Sequence, residues 1–423
     1  MDKTYVGFGF GPIQSGLFLY EAKISGNFSR FVVGEIDQSL VDAVAGNGGK
    51  YTVNIARPDR IDPFVVEGVE LLNPAVDADR KQLIEAIALS DEIATCLPSV
   101  RFYDTGDASV AKTLAAGFSA RDVARPTVIY ASENHNHAAE LLAEAIGLQL
   151  PEPIRRTVQP LNTVIGKMSG VIDDPATIET LGLLPMAPGI AKAILIEEFN
   201  RILVSRVELD GYRRGIEVFE EKSDLLPFEE AKLYGHNAIH ALIGYLADVR
   251  GLTTVAQAAG HGDIMATARR AFLDESGAAL IARHRQLGDP LFTPAGYEAY
   301  AEDLLGRMVN PNLNDLVQRV GRDPVRKLGW DDRLYGTMRL ALQYDVEPEN
   351  LAMGAAAGVI FAIRHRDEMT AAATSLPGSL GELDDRALAS LLGEIWGSQD
   401  AAVASKLVDL TAEAMERIRR DWL

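Results

Sequence analysis

The sequence predicts a chain of two parts, an N-terminal α/β domain built on a parallel sheet and a mainly α-helical C-terminal domain. The first half contains short β-rich runs at 4–9, 30–35, 91–97 and 127–132. These runs alternate with segments of helical periodicity, which is the pattern of a parallel sheet covered by helices. After about residue 180 long amphipathic stretches replace the β-rich runs, and such stretches indicate helices. We therefore place the domains at 1–184 and 185–423.

Composition and charge restrict the function classes. At 423 residues the chain is long for one hydrophobic core, which agrees with two domains. A net charge of −19 disfavours a nucleic-acid partner, because an acidic surface repels phosphates. The single cysteine, Cys96, and an N-terminus without the features of an export signal favour the reducing cytoplasm. The longest nearly apolar run, at 351–363, is too short to cross a bilayer, so we expect no membrane association. We also expect a monomer or a small homo-oligomer.

A glycine-rich turn follows the first β-rich run and resembles a dinucleotide-binding fingerprint of the Rossmann type. The residues that we assign to cofactor binding in this turn are Gly9, Phe10, Gly11 and Ile13. In the fingerprint the first glycine makes the turn and the second lets the backbone approach a pyrophosphate at the helix N-terminus. Gln14 occupies the third glycine position, so helix–strand packing should differ, with Gly16 relieving part of the crowding. The alternative is an ordinary strand–turn–helix that binds no nucleotide.

The end of the second β-rich run indicates which dinucleotide the turn would bind. Glu35 ends this run, where a carboxylate can accept hydrogen bonds from the adenosine ribose hydroxyls. The residues that follow, 36–40, contain no Arg or Lys to hold a 2′-phosphate. This combination favours NAD over NADP. We also assign Thr95, in the run at 91–97, to the cofactor site.

The stretch 231–246 places four polar side chains on a predicted apolar α-helix. Lys232, His236 and His240 are spaced by four residues and share a helix face, and Asn237 lies one turn from His240. Burial against apolar neighbours should lower the pKa of Lys232 and make its neutral amine available as a base. Asn237 could then hold a developing alkoxide, and His240 could orient a hydroxyl. The alternative is a lysine at the helix edge and two satisfied core histidines.

A second polar group follows the run at 127–132. Ligands bind at the carboxyl ends of parallel strands, so Asn134 can face both a nicotinamide and a substrate oxygen, unless it is only a helix cap. Together with the helix at 231–246, this group contains His135, His137, His236 and His240. A zinc site is the alternative interpretation, but no cysteine or carboxylate completes a familiar ligand spacing. We predict no metal.

A basic cluster lies at 319–327 in this otherwise acidic chain. Its members are Arg319, Arg322, Arg326 and Lys327. Arginine forks bind phosphate bidentately, and we assign Arg322, Arg326 and Lys327 to substrate binding. The alternative is a solvated helix face whose cations pair with nearby aspartates.

Several of these motifs together resemble the polyol-specific long-chain dehydrogenase family. They are Lys232 with Asn237 and His240, the Glu133–Asn134 pair, and the Gly9–Gly11 turn. The blocks RMVNPNLND (307–315) and RVGRDPVRKLGWDDRL (319–334) are similar to its mannitol-1-phosphate 5-dehydrogenase branch. Pro98 replaces a glycine usual in that branch, and Ile165 to Met168 replaces a stretch that usually carries an acid and an arginine.

The resemblance implies a function for the site residues. It implies metal-independent, NAD-dependent oxidation of a secondary alcohol of a polyol phosphate, of the mannitol 1-phosphate to fructose 6-phosphate type. Lys232 would be the base, Asn134 and Asn237 would polarise the substrate oxygen, and His240 would contact it in a cleft between the domains. The alternatives are the same chemistry on an unphosphorylated polyol or a sugar acid (aldonate or hexuronate), a 3-hydroxy-acid substrate, and a non-catalytic NAD-binding redox sensor.

Overall fold

The computed structural model describes residues 3–121, 125–147, 150–368 and 376–423. The chain divides into two compact units, Met1–Leu226 and Pro227–Leu423. This boundary lies later in the chain than the predicted one at 184/185. The reason is that the segment 193–222 forms strands that pair with strands of the N-terminal half.

The first unit contains the strands of the structure. They are β1 Lys3–Phe8, β2 Phe28–Gly34, β3 Tyr51–Ala56, β4 Ile61–Val66, β5 Val69–Leu72, β6 Glu92–Thr95, β7 Thr127–Ala131, β8 Val158–Val164, β9 Ser169–Ile172, β10 Ala193–Glu197, β11 Leu203–Ser205 and β12 Glu220–Lys222. Its helices are α1 Leu19–Ser25, α2 Gln38–Gly46, α3 Asp77–Ala88, α4 Val110–Ser119, α5 Ala138–Gly147, α6 Glu152–Arg155 and α7 Pro175–Leu181.

Two sheets organise these strands within the described residues. The larger sheet has the order β12-β11-β8-β7-β6-β1-β2-β5, and the smaller has the order β4-β3-β10-β9. From β5 to β8 every pairing of the larger sheet is parallel. This order is that of a doubly wound dinucleotide-binding sheet, whose switch point lies between the first and fourth parallel strands, here β1 and β6.

Both faces of the larger sheet are buried, as expected for parallel strands covered by helices. On β1, Tyr5 packs into one hydrophobic core, which contains Val41 and Val44 of α2. Val6 and Phe8 point to the opposite face and pack in a second core with residues of α3, α4 and α5. The prediction of an N-terminal α/β domain with a parallel sheet is therefore confirmed.

The second unit is mainly helical in its described residues, which confirms the second half of the predicted fold class. After α8 (Leu226–Glu230), which begins at the boundary, its α-helices are α9 Ala238–Val249, α10 Gly262–Arg270, α11 Ala278–His284, α12 Pro294–Met308, α13 Val317–Gly321, α14 Pro324–Lys327, α15 Tyr335–Gln343, α16 Glu349–Arg364, α17 Asp385–Trp396 and α18 Ala401–Asp421. Two π-helical segments, Ala231–Asn237 and Ala271–Gly277, continue into α9 and α11 respectively.

Helices α9 and α16 form the centre of the second unit. Every residue of α16 from Leu351 to Ile363 is buried. The two helices approach closely at Gly354, which has no Cβ. A Cβ there would lie only 2.8 Å from Cγ of Leu242. No helix in the described part of the chain is long and apolar enough to span a membrane.

Candidate functional site

The glycine turn after β1 has the conformation that its sequence predicts. Gly9 has a positive φ of 77°, and a Cβ there would lie 2.6 Å from the carbonyl oxygen of Cys96. Gly9 therefore lets the backbone after β1 approach the end of β6, at the switch point. A Cβ on Gly11 would meet nothing within 4 Å, so the space beside Gly11 is open to a ligand.

Gln14 changes the helix–strand packing, as predicted, and the structure shows how. Its side chain is fully buried and its Nε2 donates to the Tyr5 hydroxyl at 2.6 Å. A Cβ on Gly7 would lie 2.3 Å from that Nε2. The close contact between helix and strand is therefore permitted by Gly7 on the strand, and not by a glycine at position 14 of the helix. Gly16 relieves crowding at a different place, against Ile196 of β10. The helix is π-helical over Gln14–Phe18, before α1.

Glu35 lies directly after β2, and the glycine turn helps to orient it. Its Oε2 accepts a hydrogen bond from the Phe10 amide at 2.7 Å, and its Oε1 accepts from the amides of Ile36 and Asp37. The Phe10 ring is buried against Tyr51, so only the main chain of Phe10 lies at the turn. Ile13 packs partly buried against the same core. These bonds hold the Glu35 carboxylate beside the turn, where a ribose would lie in a dinucleotide site.

Glu133 is a buried carboxylate to which the sequence alone assigned no role. It accepts hydrogen bonds from residues at and after the end of β6. Glu133 Oε2 accepts from the Thr95 hydroxyl at 2.9 Å and from the Tyr103 hydroxyl, and its Oε1 accepts from the Leu97 amide at 2.8 Å. Burial raises the pKa of Glu133. Thr95 is fully buried, so its hydroxyl supports this edge of the sheet and is not open to a cofactor. The next residue, Asn134, is exposed, and its side chain makes no hydrogen bond to any residue that the structure describes.

In the second unit, Lys232 lies on a π-helix and not on the predicted α-helix. The Ala238 amide, which would bond to the Tyr234 carbonyl in an α-helix, donates to Gly235 instead. The Tyr234 carbonyl accepts from the Ser276 hydroxyl at 2.8 Å. It also lies 3.2 Å from the Thr337 hydroxyl, whose one proton is shared with the closer Arg333 carbonyl. These two hydroxyls stabilise the wider turn. Single π-turns within helices are frequent at functional sites.

The π-turn changes which side chains share a face. Because π-helical bonds join residues five apart, Lys232 is aligned with Asn237. Asn237 begins the α-helical geometry of α9, in which His240 lies one turn further along. The three predicted residues are therefore brought onto one side of a single helix.

Lys232 has the electrostatic properties of a base. Its side chain is half-buried and makes no hydrogen bond or ion pair within the described part of the chain. Burial lowers its pKa from 10.5 to about 8, opposed by the charge of Glu229 and assisted by that of Arg333. Asn237 is likewise half-buried, and its amide has no hydrogen-bond partner in the described ranges. An amine and an amide without partners on one face form a polar surface that a ligand oxygen can satisfy.

His240, by contrast, has a strong partner. Its Nε2 lies 2.8 Å from Oδ2 of Asp315, whose side chain is 4% exposed. The His236 ring lies on the same helix, 6.2 Å from that of His240, and burial lowers the pKa of His236 well below its ordinary value. No group of three or more His, Cys, Asp or Glu side chains arranged to hold a metal ion occurs in the described residues.

The basic cluster is only partly available to a ligand. Arg319 pairs with Asp315 at 2.7 Å and Arg326 pairs with Asp332 at 2.9 Å, as the alternative interpretation expected. Arg322 is exposed, and its one described hydrogen bond is a long one of 3.4 Å to the Arg319 carbonyl. Lys327 is buried and donates to the Val320 carbonyl at 2.5 Å. Burial, with the charges of Arg333 and Arg326, lowers the pKa of Lys327 to about 7.

Known proteins resemble both units of this chain. Residues 224–380 match the family model of the mannitol dehydrogenase C-terminal domain. A mannitol-1-phosphate 5-dehydrogenase from Brevibacillus brevis is 29% identical over 360 residues, which cover 84% of this chain and 85% of the relative.

Two solved structures have the same fold. A substrate-free D-sorbitol dehydrogenase superposes with a TM-score of 0.76 at 14% identity, over 99% of this chain and 93% of that one. The Pseudomonas fluorescens mannitol 2-dehydrogenase in complex with NAD and D-mannitol has a TM-score of 0.68 at 15% identity, over 99% and 92%.

A doubly wound sheet with a glycine turn at its switch point suits a dinucleotide. The helical unit that follows carries Lys232, which has no hydrogen-bond or ion-pair partner in the described residues, and the two features together are typical of a dinucleotide-dependent dehydrogenase. With the match at 224–380 and the relative that aligns along most of its length, the chain is similar to proteins of the mannitol dehydrogenase family. The family resemblance stated from the sequence is thereby confirmed.

Proposed function

We propose that this chain oxidises a secondary alcohol of a polyol phosphate to the ketose phosphate with NAD, as in the conversion of mannitol 1-phosphate to fructose 6-phosphate. Similarity to the mannitol dehydrogenase C-terminal domain and to a mannitol-1-phosphate 5-dehydrogenase supports the polyol dehydrogenase activity. The observation that carries the proposal is Lys232, an amine without a partner in the described residues, whose pKa of about 8 leaves part of it neutral near neutral pH.

The residues of the first unit fit a bound dinucleotide. The open side of Gly11 and the amides at the start of the helix that spans 12–25 suit a pyrophosphate, because helix N-termini attract anions. Glu35 suits the ribose hydroxyls, and its negative charge disfavours a 2′-phosphate. When bound, NAD supplies the acceptor for the hydride that leaves the alcohol carbon.

The second unit supplies the proton chemistry. Neutral Lys232 takes the hydroxyl proton as the carbon–hydrogen bond breaks, so the products are a ketone, a reduced cofactor and an ammonium group. The Asn237 amide donates a hydrogen bond to the oxygen as negative charge develops on it. Asn134, in the first unit, is assigned as the second amide from the family resemblance, and His240 as a contact to a substrate hydroxyl.

Phosphate binding is assigned to Arg322, Arg326 and Lys327. Arg322 makes no ion pair in the described ranges and can turn toward a phosphate. A bound dianion would also favour the charged form of Lys327, whose pKa of about 7 makes it responsive to a nearby charge. The bond of Arg326 to Asp332 is exposed on the arginine side, so exchange for a phosphate oxygen requires little rearrangement.

A second candidate is the same oxidation of an unphosphorylated polyol or a sugar acid. The observations that favour it are the ion pair of Arg326 with Asp332 and the burial of Lys327. Both reduce the positive charge that is available to a phosphate.

Comparing two substrates in several variants separates the candidates. kcat/KM for mannitol and for mannitol 1-phosphate is measured in the wild type, in Arg322→Ala and Arg326→Ala, and in Arg386→Ala as an exposed control on α17. The phosphate candidate predicts a preference for mannitol 1-phosphate that falls by about tenfold or more in Arg322→Ala and Arg326→Ala and is unchanged in Arg386→Ala. Equal rates on both substrates in the wild type would exclude it.

A further inference from the structure

Asp315 is a buried carboxylate whose two oxygens have different partners. Oδ2 is bonded to Nε2 of His240 at 2.8 Å, and Oδ1 accepts from Nε and Nη2 of Arg319 at 2.9 and 2.7 Å. His240 is thus joined to a carboxylate that is remote in sequence. Neither the reaction nor the family resemblance assigns a role to this carboxylate.

The backbone on both sides of Asp315 is fixed. The Asp315 carbonyl accepts from the Val255 amide at 2.9 Å, and the Val317 amide donates to the Thr253 carbonyl at 3.0 Å. An isolated antiparallel bridge joins Thr254 to Leu316. The hydrogen bonds of the main chain and the bonds from Arg319 to Oδ1 fix the Asp315 side chain. Its Oδ2 therefore has a defined position, which determines where the His240 ring can bond to it.

The protonation of this pair follows from its partners. Although burial opposes it, the hydrogen bond and charge of His240 and those of Arg319 hold the pKa of Asp315 below its usual value. An ionised carboxylate only accepts hydrogen bonds, so the proton between the two groups belongs to Nε2 of His240. In a neutral ring the other nitrogen, Nδ1, is then an acceptor. Nδ1 has no hydrogen-bond partner in the ranges that the structure describes, and the side chain is 18% exposed.

We propose that Asp315 is a positioning residue that fixes His240 in its Nε2–H tautomer and so presents Nδ1 as an acceptor for a substrate hydroxyl. This inference rests on the proposed function and deepens it. An acceptor at this position recognises a hydroxyl group and not a carbonyl, so the substrate should carry a hydroxyl near the carbon that is oxidised. The site would thus be selective for polyols with neighbouring hydroxyl groups over simple secondary alcohols.

The tautomer can be observed without turnover. Two-bond 15N–1H NMR spectra of the full chain with 15N-labelled histidine distinguish Nε2–H from Nδ1–H rings, and His240→Gln identifies the His240 signals. We expect the Nε2–H tautomer for His240 in the wild type, retained in Arg319→Met and lost or mixed in Asp315→Asn. An Nδ1–H or charged ring in the wild type, or an unchanged Nε2–H ring in Asp315→Asn, would overturn the inference.

A double-mutant cycle then tests the coupling in catalysis. Asp315→Asn should lower kcat/KM for the preferred polyol by about a hundredfold, since loss of the carboxylate behind a histidine has effects of this order or larger. In the His240→Phe background the same substitution should have almost no further effect. NAD affinity and the melting temperature are measured for each variant, to identify any general loss of structure.

The outcomes are distinguishable. Multiplicative losses in the double variant would show that Asp315 acts independently of His240, which would overturn the inference. If the wild type oxidised no polyol or polyol phosphate, the proposed function would fail, while the NMR spectra would still decide whether Asp315 sets the tautomer.

Discussion

The pH dependence of alcohol oxidation is the most quantitative consequence of the position of Lys232. Burial lowers its pKa from 10.5 to about 8. At pH 7 the neutral fraction of the amine is therefore about 9%, compared with about 0.03% for an ordinary lysine, a gain of about 300-fold. The proposed base is thus partly neutral near neutral pH because it is half-buried.

The measurement is kcat/KM for oxidation against pH, at saturating NAD. Because the proposed mechanism uses the neutral amine, kcat/KM should rise about tenfold per pH unit below 8 and reach a plateau above it. Ketone reduction requires the ammonium form and should decline above pH 8. A profile that rose only near pH 10, or that was flat between pH 6 and 9, would refute the role of Lys232.

Lys327 is the natural control, because its pKa of about 7 is also lowered by burial. Lys327→Met is expected to change KM for a phosphorylated substrate but to leave the ionisation near pH 8 in place. If that ionisation disappeared in Lys327→Met, the titrating base would be Lys327, and the assignment of Lys232 would be wrong.

Three further predictions concern the local packing. Thr337→Val, which removes a hydrogen bond to the Tyr234 carbonyl, should lower kcat by about tenfold and leave NAD affinity unchanged, whereas Thr337→Ser should retain activity; equal kcat in both variants would contradict a role for this bond. Gly7→Ala should lower the free energy of unfolding by about 1–3 kcal/mol through contact with the Gln14 amide, and Gln14→Ala should restore most of it in denaturant titrations; no rescue would place the strain elsewhere. Lys232→Met should raise the free energy of unfolding at pH 7, and its advantage over the wild type should shrink as pH rises from 8 to 10.5, because only the unfolded wild type binds the proton in that range; an advantage independent of pH would contradict the lowered pKa.

The arrangement of the first unit could largely be predicted from its sequence. The buried strands at 3–8, 28–34, 92–95 and 127–131 are short runs of β-forming residues separated by helical periodicity, and this alternation permits few topologies. The domain boundary could not be predicted in the same way. Strands β11 and β12 are only three residues each, and their membership of the first unit depends on pairing with distant strands.

The candidate site was predictable in its residue types but not in its geometry. The sequence of residues 231–237 alone does not distinguish an α-helix from a π-helix. The π-helix depends on the hydroxyls of Ser276 and Thr337, which lie far along the chain. The pairing of Asp315 with His240 is a tertiary contact that spacing does not reveal. The burial of Lys327 also depends on tertiary packing. The number of cations in the sequence at 319–327 is therefore larger than the positive charge that is available to a phosphate.

Chemical rescue of Lys232→Ala shows whether the Lys232 amine removes the hydroxyl proton. NADH formation from the preferred polyol is followed in this variant with and without added methylamine, alongside NAD affinity. The account predicts that turnover falls by about a thousandfold or more, that NAD affinity stays within about twofold, and that methylamine restores part of the rate with a pH dependence set by its own pKa. Near-wild-type turnover in Lys232→Ala without added amine would show that another group removes the proton.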